Sequence, residues 1–222
     1  MRHWGIVITL FYAVVVTFLF MPGISLVGGE ESLAWPWSVD LLVIVIFGSW
    51  LLLLIFSQAI LVFVSVDTAW RRIKTRQHVL VSVAAVALAI ALLSFAGLIS
   101  VSAGIWGDDV FWPESELGTF WAMWLPVIIF WIIWGFVFHH YRQGEADQLN
   151  RFIGWLIKGS VLELLIAVPC HVVVRYREDC SAPGLTGFGI ATGIAVMLLA
   201  FGPSVIFLYQ KRMSRYNRLE DL

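Results

Sequence analysis

Between Lys158 and Cys180 the chain concentrates the side chains that can do chemistry: Lys158, Ser160, Glu163, Pro169, Cys170, His171, Arg175, Arg177 and Cys180. A carboxylate stands inside an apolar run, where it can carry a proton or coordinate a cation. Two cysteines and a histidine offer soft and borderline metal ligands. Two arginines present fixed positive charge to an anion. At helical spacing Ser160, Glu163, Ala167 and Cys170 fall close to one face, with His171 beside it.

The elements that must hold these residues follow from composition. The chain has 222 residues, 60% hydrophobic and only 13% charged, whereas a soluble domain carries about 25% charge. Continuous apolar runs of about 20 residues read as membrane-spanning helices, since a helix satisfies its own backbone groups in lipid. The runs do not alternate, which argues against a transmembrane barrel. The net charge of −1 gives no basic field for nucleic acid. The expected fold is an all-α integral membrane protein. It forms one domain over residues 1–222, a six-helix bundle with short loops and spans near 4–27, 40–66, 79–103, 119–138, 152–174 and 184–209. The first run is long for a signal peptide and is expected to remain as a span.

Basic residues set the expected orientation. With six spans, eleven of the fourteen Lys and Arg lie on the side of the two termini: Arg2, Arg71, Arg72, Lys74, Arg76, Arg142, Arg151, Lys211, Arg212, Arg215 and Arg218. The positive-inside rule then places both termini in the cytoplasm, in a bacterial inner membrane. The third span, rich in Ala and Gly, is expected at the centre of the bundle, and Gly189 and Gly193 form a small-xxx-small packing signal. Pro22 is expected to kink or end its helix, and Gly202-Pro203 to kink the sixth span near its far end. Trp121, Trp124, Trp131 and Trp134 are expected to serve packing or lipid contact.

Glu163 lies roughly 15 Å into the fifth span at about 1.5 Å per residue, near the membrane midplane. Such a group must be neutral or partnered, and it faces a bundle interior. It marks an ion or proton pathway, with Ser160, Lys158 and Gln58 as associated candidates. The bland alternative for Glu163 is a hydrogen bond to a neighbouring helix or a pair with Lys158. Lys158 itself can snorkel to the cytoplasmic surface, and Gln58 can bond across helices. Pro169 frees a carbonyl near Leu165, which suggests a vestibule in the outer third of the helix.

Cys170 and Cys180 both fall toward the extracytoplasmic side, where a disulfide would brace the corner between spans five and six. Cys170, His171 and Cys180 are the metal candidates, at a spacing that matches no strong pattern. A haem would require His78 with His139 or His140. No cofactor is assigned. Arg175 and Arg177 are expected to pair with the acidic residues of that side, or to receive an anion, a lipid headgroup or a partner subunit.

Three functions are compatible with this reading. One is an oligomeric transporter or channel with Glu163 in its pathway. Another is an accessory subunit of a larger membrane complex. The last is a membrane redox or metal-binding protein built on Cys170, His171 and Cys180; enzymatic activity is not otherwise signalled. Expected partners are membrane lipid and further copies of the chain or other membrane subunits.

Overall fold

A computed structural model describes the backbone of residues 2–27, 41–67, 76–107, 116–140, 148–177 and 182–220, and side chains over somewhat narrower limits. These residues form six helices in chain order: α1 (Arg2–Val27), α2 (Leu41–Asp67), α3 (Arg76–Trp106), α4 (Glu116–His140), α5 (Gln148–Tyr176) and α6 (Ala182–Glu220). No strand occurs among them. Each helix contains a segment of at least 20 residues that is long and apolar enough to cross a membrane. Pro22, Pro126, Pro169 and Pro203 all sit inside continuous helices. Thus α1 continues past Pro22 to Val27 rather than ending there, and α6 runs on past Pro203 through residues 205–220. The acidic segments around Glu30, Glu31, Asp108 and Asp109, and Cys180 with them, lie outside the described residues.

The centre is α3, 83% of whose apolar window is buried, against 11% for α4. Its run of Ala85, Ala87, Ala89, Ala91 and Ala96 is buried on all sides, because small side chains let neighbouring backbones approach. Around it the outward faces are apolar: Phe11, Phe18, Leu52, Phe56, Ile132, Phe136 and Leu165 are all more than 60% exposed. A belt of this size and composition suits hydrocarbon and not water.

Aromatic rings lock one level of the bundle. Trp50 of α2 is buried, with its ring centroid 4.8 Å from Phe188 of α6, 6.0 Å from Trp124 of α4 and 6.1 Å from Phe95 of α3. Phe20 of α1 and Phe47 of α2 meet Phe188 edge-on at 5.5 and 5.4 Å. Such pairs contribute about 0.5–1.5 kcal/mol each beyond area burial. Two further α4 tryptophans fasten that peripheral helix to α3. Trp131 Nε1 donates to Ala84 O at 3.0 Å, and Trp134 Nε1 donates to Ser94 Oγ at 3.1 Å.

Candidate functional site

Two helices run in parallel and in matched steps to form the frame of the site. Leu93, Gly97 and Gly104 of α3 meet Gly159, Glu163 and Cys170 of α5, a step of four residues and then seven on each helix. This is the spacing of a continuous helix–helix seam. A Cβ at Gly159 would stand 3.3 Å from Leu93 Cδ1, and one at Gly104 would stand 3.6 Å from the Cys170 Cα. The seam is therefore close enough to exclude side chains on one partner at each level.

Antiparallel to α5, helix α6 closes the third side: Gly189 meets Ala167, and Gly193 meets Leu164. The small-xxx-small pair is a contact surface, as its spacing predicts. Glu163, 4% exposed, enters where all three helices meet. A Cβ at Gly97 would lie 2.5 Å from Oε2, one at Gly189 would lie 3.1 Å from Oε1, and one at Gly193 would lie 3.4 Å from Cγ. The three glycines thus make the volume the carboxyl group fills. Ser100 Oγ occupies the same gap at Gly189.

The buried hydroxyls of α3, α5 and α6 are already engaged. Ser100, Ser160 and Thr192 are fully buried and donate to Ala96 O, Leu156 O and Phe188 O, each at 2.9 Å. A hydroxyl has one proton to donate, so these three bonds leave none for Glu163. Its Oε1 is buried with no hydrogen-bond partner. Lys158 is exposed, and no ion pair joins it to Glu163 among the described residues. An ionised, unpaired carboxylate in such surroundings is costly.

A metal cation is less well served. Hard cations ask for about six to eight oxygen ligands, and the junction offers one carboxyl group and the Ser100 oxygen. Among the described residues no group of three His, Cys, Asp and Glu converges. Cys170 packs on Gly104, and no disulfide occurs among the described residues. The disulfide to Cys180 and the three-ligand metal set both involve a residue outside the description. His171 Nδ1 lies 2.8 Å from Thr186 Oγ1, and Thr186 in turn bonds Ala182 O and Pro183 O at 3.2 Å. His171 thus ties α5 to the first turn of α6. Of the other histidines, His140 stacks on Phe136 and His139 lines a groove with Leu80 and Trp131.

The remaining candidates separate. Arg177 Nη1 donates to Gly104 O and Ile105 O at 3.1 and 3.3 Å. It therefore caps the carbonyl end of α3 beside Gly107, whose φ of 60° terminates the helix, and a cation there also complements the helix dipole. The acidic residues expected to pair with it, among them Asp108, Asp109, Glu114, Glu178 and Asp179, lie outside the described residues. Arg175 is exposed. Leu165 and Pro169 face outward, so the carbonyl freed by proline opens to the outer surface and not to an internal vestibule. Gln58 is buried against α1 and α6, near Gly202. That level is nine residues along α6 from Gly193, about 14 Å at 1.5 Å per residue. The structure brings Glu163 and Ser160 onto one buried face and sets Gln58 and Lys158 apart from it.

The chain matches no protein-family model, no curated protein sequence and no solved structure.

Proposed function

We propose that the protein is a multi-pass membrane transporter or channel in which Glu163 binds and releases a proton at the α3/α5/α6 junction. The observation that carries this reading is the buried carboxyl whose Oε1 has no partner, in a cradle of three glycines. Intramembrane ionisable residues are costly, and those that line pathways act as relays. A carboxyl with both oxygens satisfied by neighbouring donors would favour a structural role, and the unpartnered Oε1 favours a relay instead. The glycine contacts on both sides also supply a means of opening. Helices that meet through glycine can slide or part with little rearrangement of side chains, which would admit water to Oε1. The membrane in this proposal is a bacterial inner membrane with both termini in the cytoplasm, and the functional form contains more than one copy of the chain.

A hydrophobic carbodiimide tests the reading. It adds to a protonated carboxylic acid in an apolar site, and the adduct rearranges to a stable N-acylurea without losing an atom. The expected result is a single modified residue, Glu163, mapped by peptide mass spectrometry, with proton flux into liposomes lost in proportion to modification. Full modification with undiminished flux would remove Glu163 from the pathway.

A further inference from the structure

A second polar orphan lies in a different part of the bundle. Ile8, Phe11, Tyr12 and Val15 of α1, Gln58 of α2, and Leu198, Phe201 and Gly202 of α6 line a cavity of about 220 Å³. Gln58 is 1% exposed and its Oε1 has no hydrogen-bond partner. Its amide nitrogen packs against Gly202, where a Cβ would collide with it, so a glycine at this position keeps the amide in place. Tyr12 donates its hydroxyl proton to Ala195 O at 3.1 Å. The other lining side chains are apolar or absent.

This combination selects a kind of ligand. A buried water requires two to four polar partners, whereas an apolar cavity of about 150 Å³ stays dry and admits a benzene-sized molecule. Here the one unmet requirement is a donor for an amide oxygen, set in a wall of Phe11, Tyr12 and Phe201 rings. We infer that the α1/α2/α6 cavity binds a lipophilic alcohol or phenol, whose single hydroxyl donates to Gln58 Oε1 while its apolar body fills the aromatic wall. A molecule dissolved in the membrane reaches the cavity past Phe11 and Phe201, which are 70% and 52% exposed. The site is separate from Glu163 and does not depend on that residue's role.

The test is photolabelling of the full-length protein in vesicles with a long-chain alcohol that carries a diazirine, mapped by peptide mass spectrometry. Labelling is expected to concentrate on α1 and α6 around Phe11 and Phe201, to saturate, and to be displaced by unlabelled 1-octanol. The methyl ether of the same probe keeps its size but has no proton to donate, and it should bind about fivefold more weakly, the loss of one neutral hydrogen bond. Gln58→Leu should reduce the alcohol to the level of the ether and leave the ether unchanged. Glu163→Gln should label like the wild type, which keeps this site distinct from the proton site. Equal labelling by alcohol and ether, or labelling spread evenly over all outward helix faces, would overturn the inference, whether or not Gln58→Leu folds.

Discussion

At the scale of single residues, Glu163 and its glycines form one unit. A carboxyl group fills space that three missing β-carbons provide, so Gly97→Ala forces a methyl group to 2.5 Å from Oε2. Overpacking of this kind costs about 1–3 kcal/mol. The thermal midpoint in detergent should fall accordingly. The same substitution in a Glu163→Ala background should cost much less, because the atom it strikes is gone; additive effects would contradict the contact. Arg177 makes the opposite contribution, a charged side chain reaching carbonyls that α3 cannot satisfy itself. Arg177→Gln should weaken the last turn of α3 by about 0.3–1 kcal/mol, seen as faster amide exchange over residues 101–106 with the rest of the helix unchanged. The carboxylate itself was legible in the sequence because a charge stands out in an apolar run. Its environment was not. Gly97 is one small residue among many in α3, and Ser100 looks the same whether it serves its own helix or a neighbour.

At the scale of elements, the matched steps of α3 and α5 determine the site. Leu93, Gly97 and Gly104 set against Gly159, Glu163 and Cys170 require parallel helices in one register. Gly104→Cys should place two thiols within reach, given the 3.1 Å from a β-carbon there to the Cys170 Cβ. Mild oxidation should then give an intramolecular disulfide between positions 104 and 170 that survives in the denatured protein and disappears on reduction. Absence of the cross-link with both thiols reactive would mean a different register. Apolar run length is enough to predict six helices and their order, and Ala content is enough to place α3 at the centre. Seam register is not available from one sequence, since every Gly and Ala along α3 is a candidate contact. That a proline would end α1 was not borne out, for a related reason. Proline inside an apolar helix removes one hydrogen bond but does not end the helix where neighbours or local adjustment take up the carbonyl, and α1, α5 and α6 all continue past theirs.

At the scale of the whole molecule, Glu163 Oε1 and Gln58 Oε1, two of the five buried side-chain polar atoms that lack a partner among the described residues, are held apart in the bundle. Gln58 faces the α1/α2/α6 cavity, and Glu163 faces the α3/α5/α6 junction, so α6 is common to both. If all six helices span, tags at the two ends should be cleaved by protease from the same face of sealed vesicles, and the eleven of fourteen Lys and Arg that six spans would group with the termini predict that this is the cytoplasmic face. Cleavage of one tag from each face would require an odd number of spans.

The central claim is that Glu163 carries the proton, and Glu163→Gln tests it most directly. Glutamine keeps the size of the side chain and cannot release a proton. The variant should fold with a thermal midpoint at or above that of the wild type, because no carboxyl group then has to be buried. In liposomes with an imposed potassium potential and an internal pH-sensitive dye, the wild type should conduct protons and Glu163→Gln should fall to the rate of empty vesicles. Proton flux equal to wild type in a well-folded Glu163→Gln protein would contradict the account.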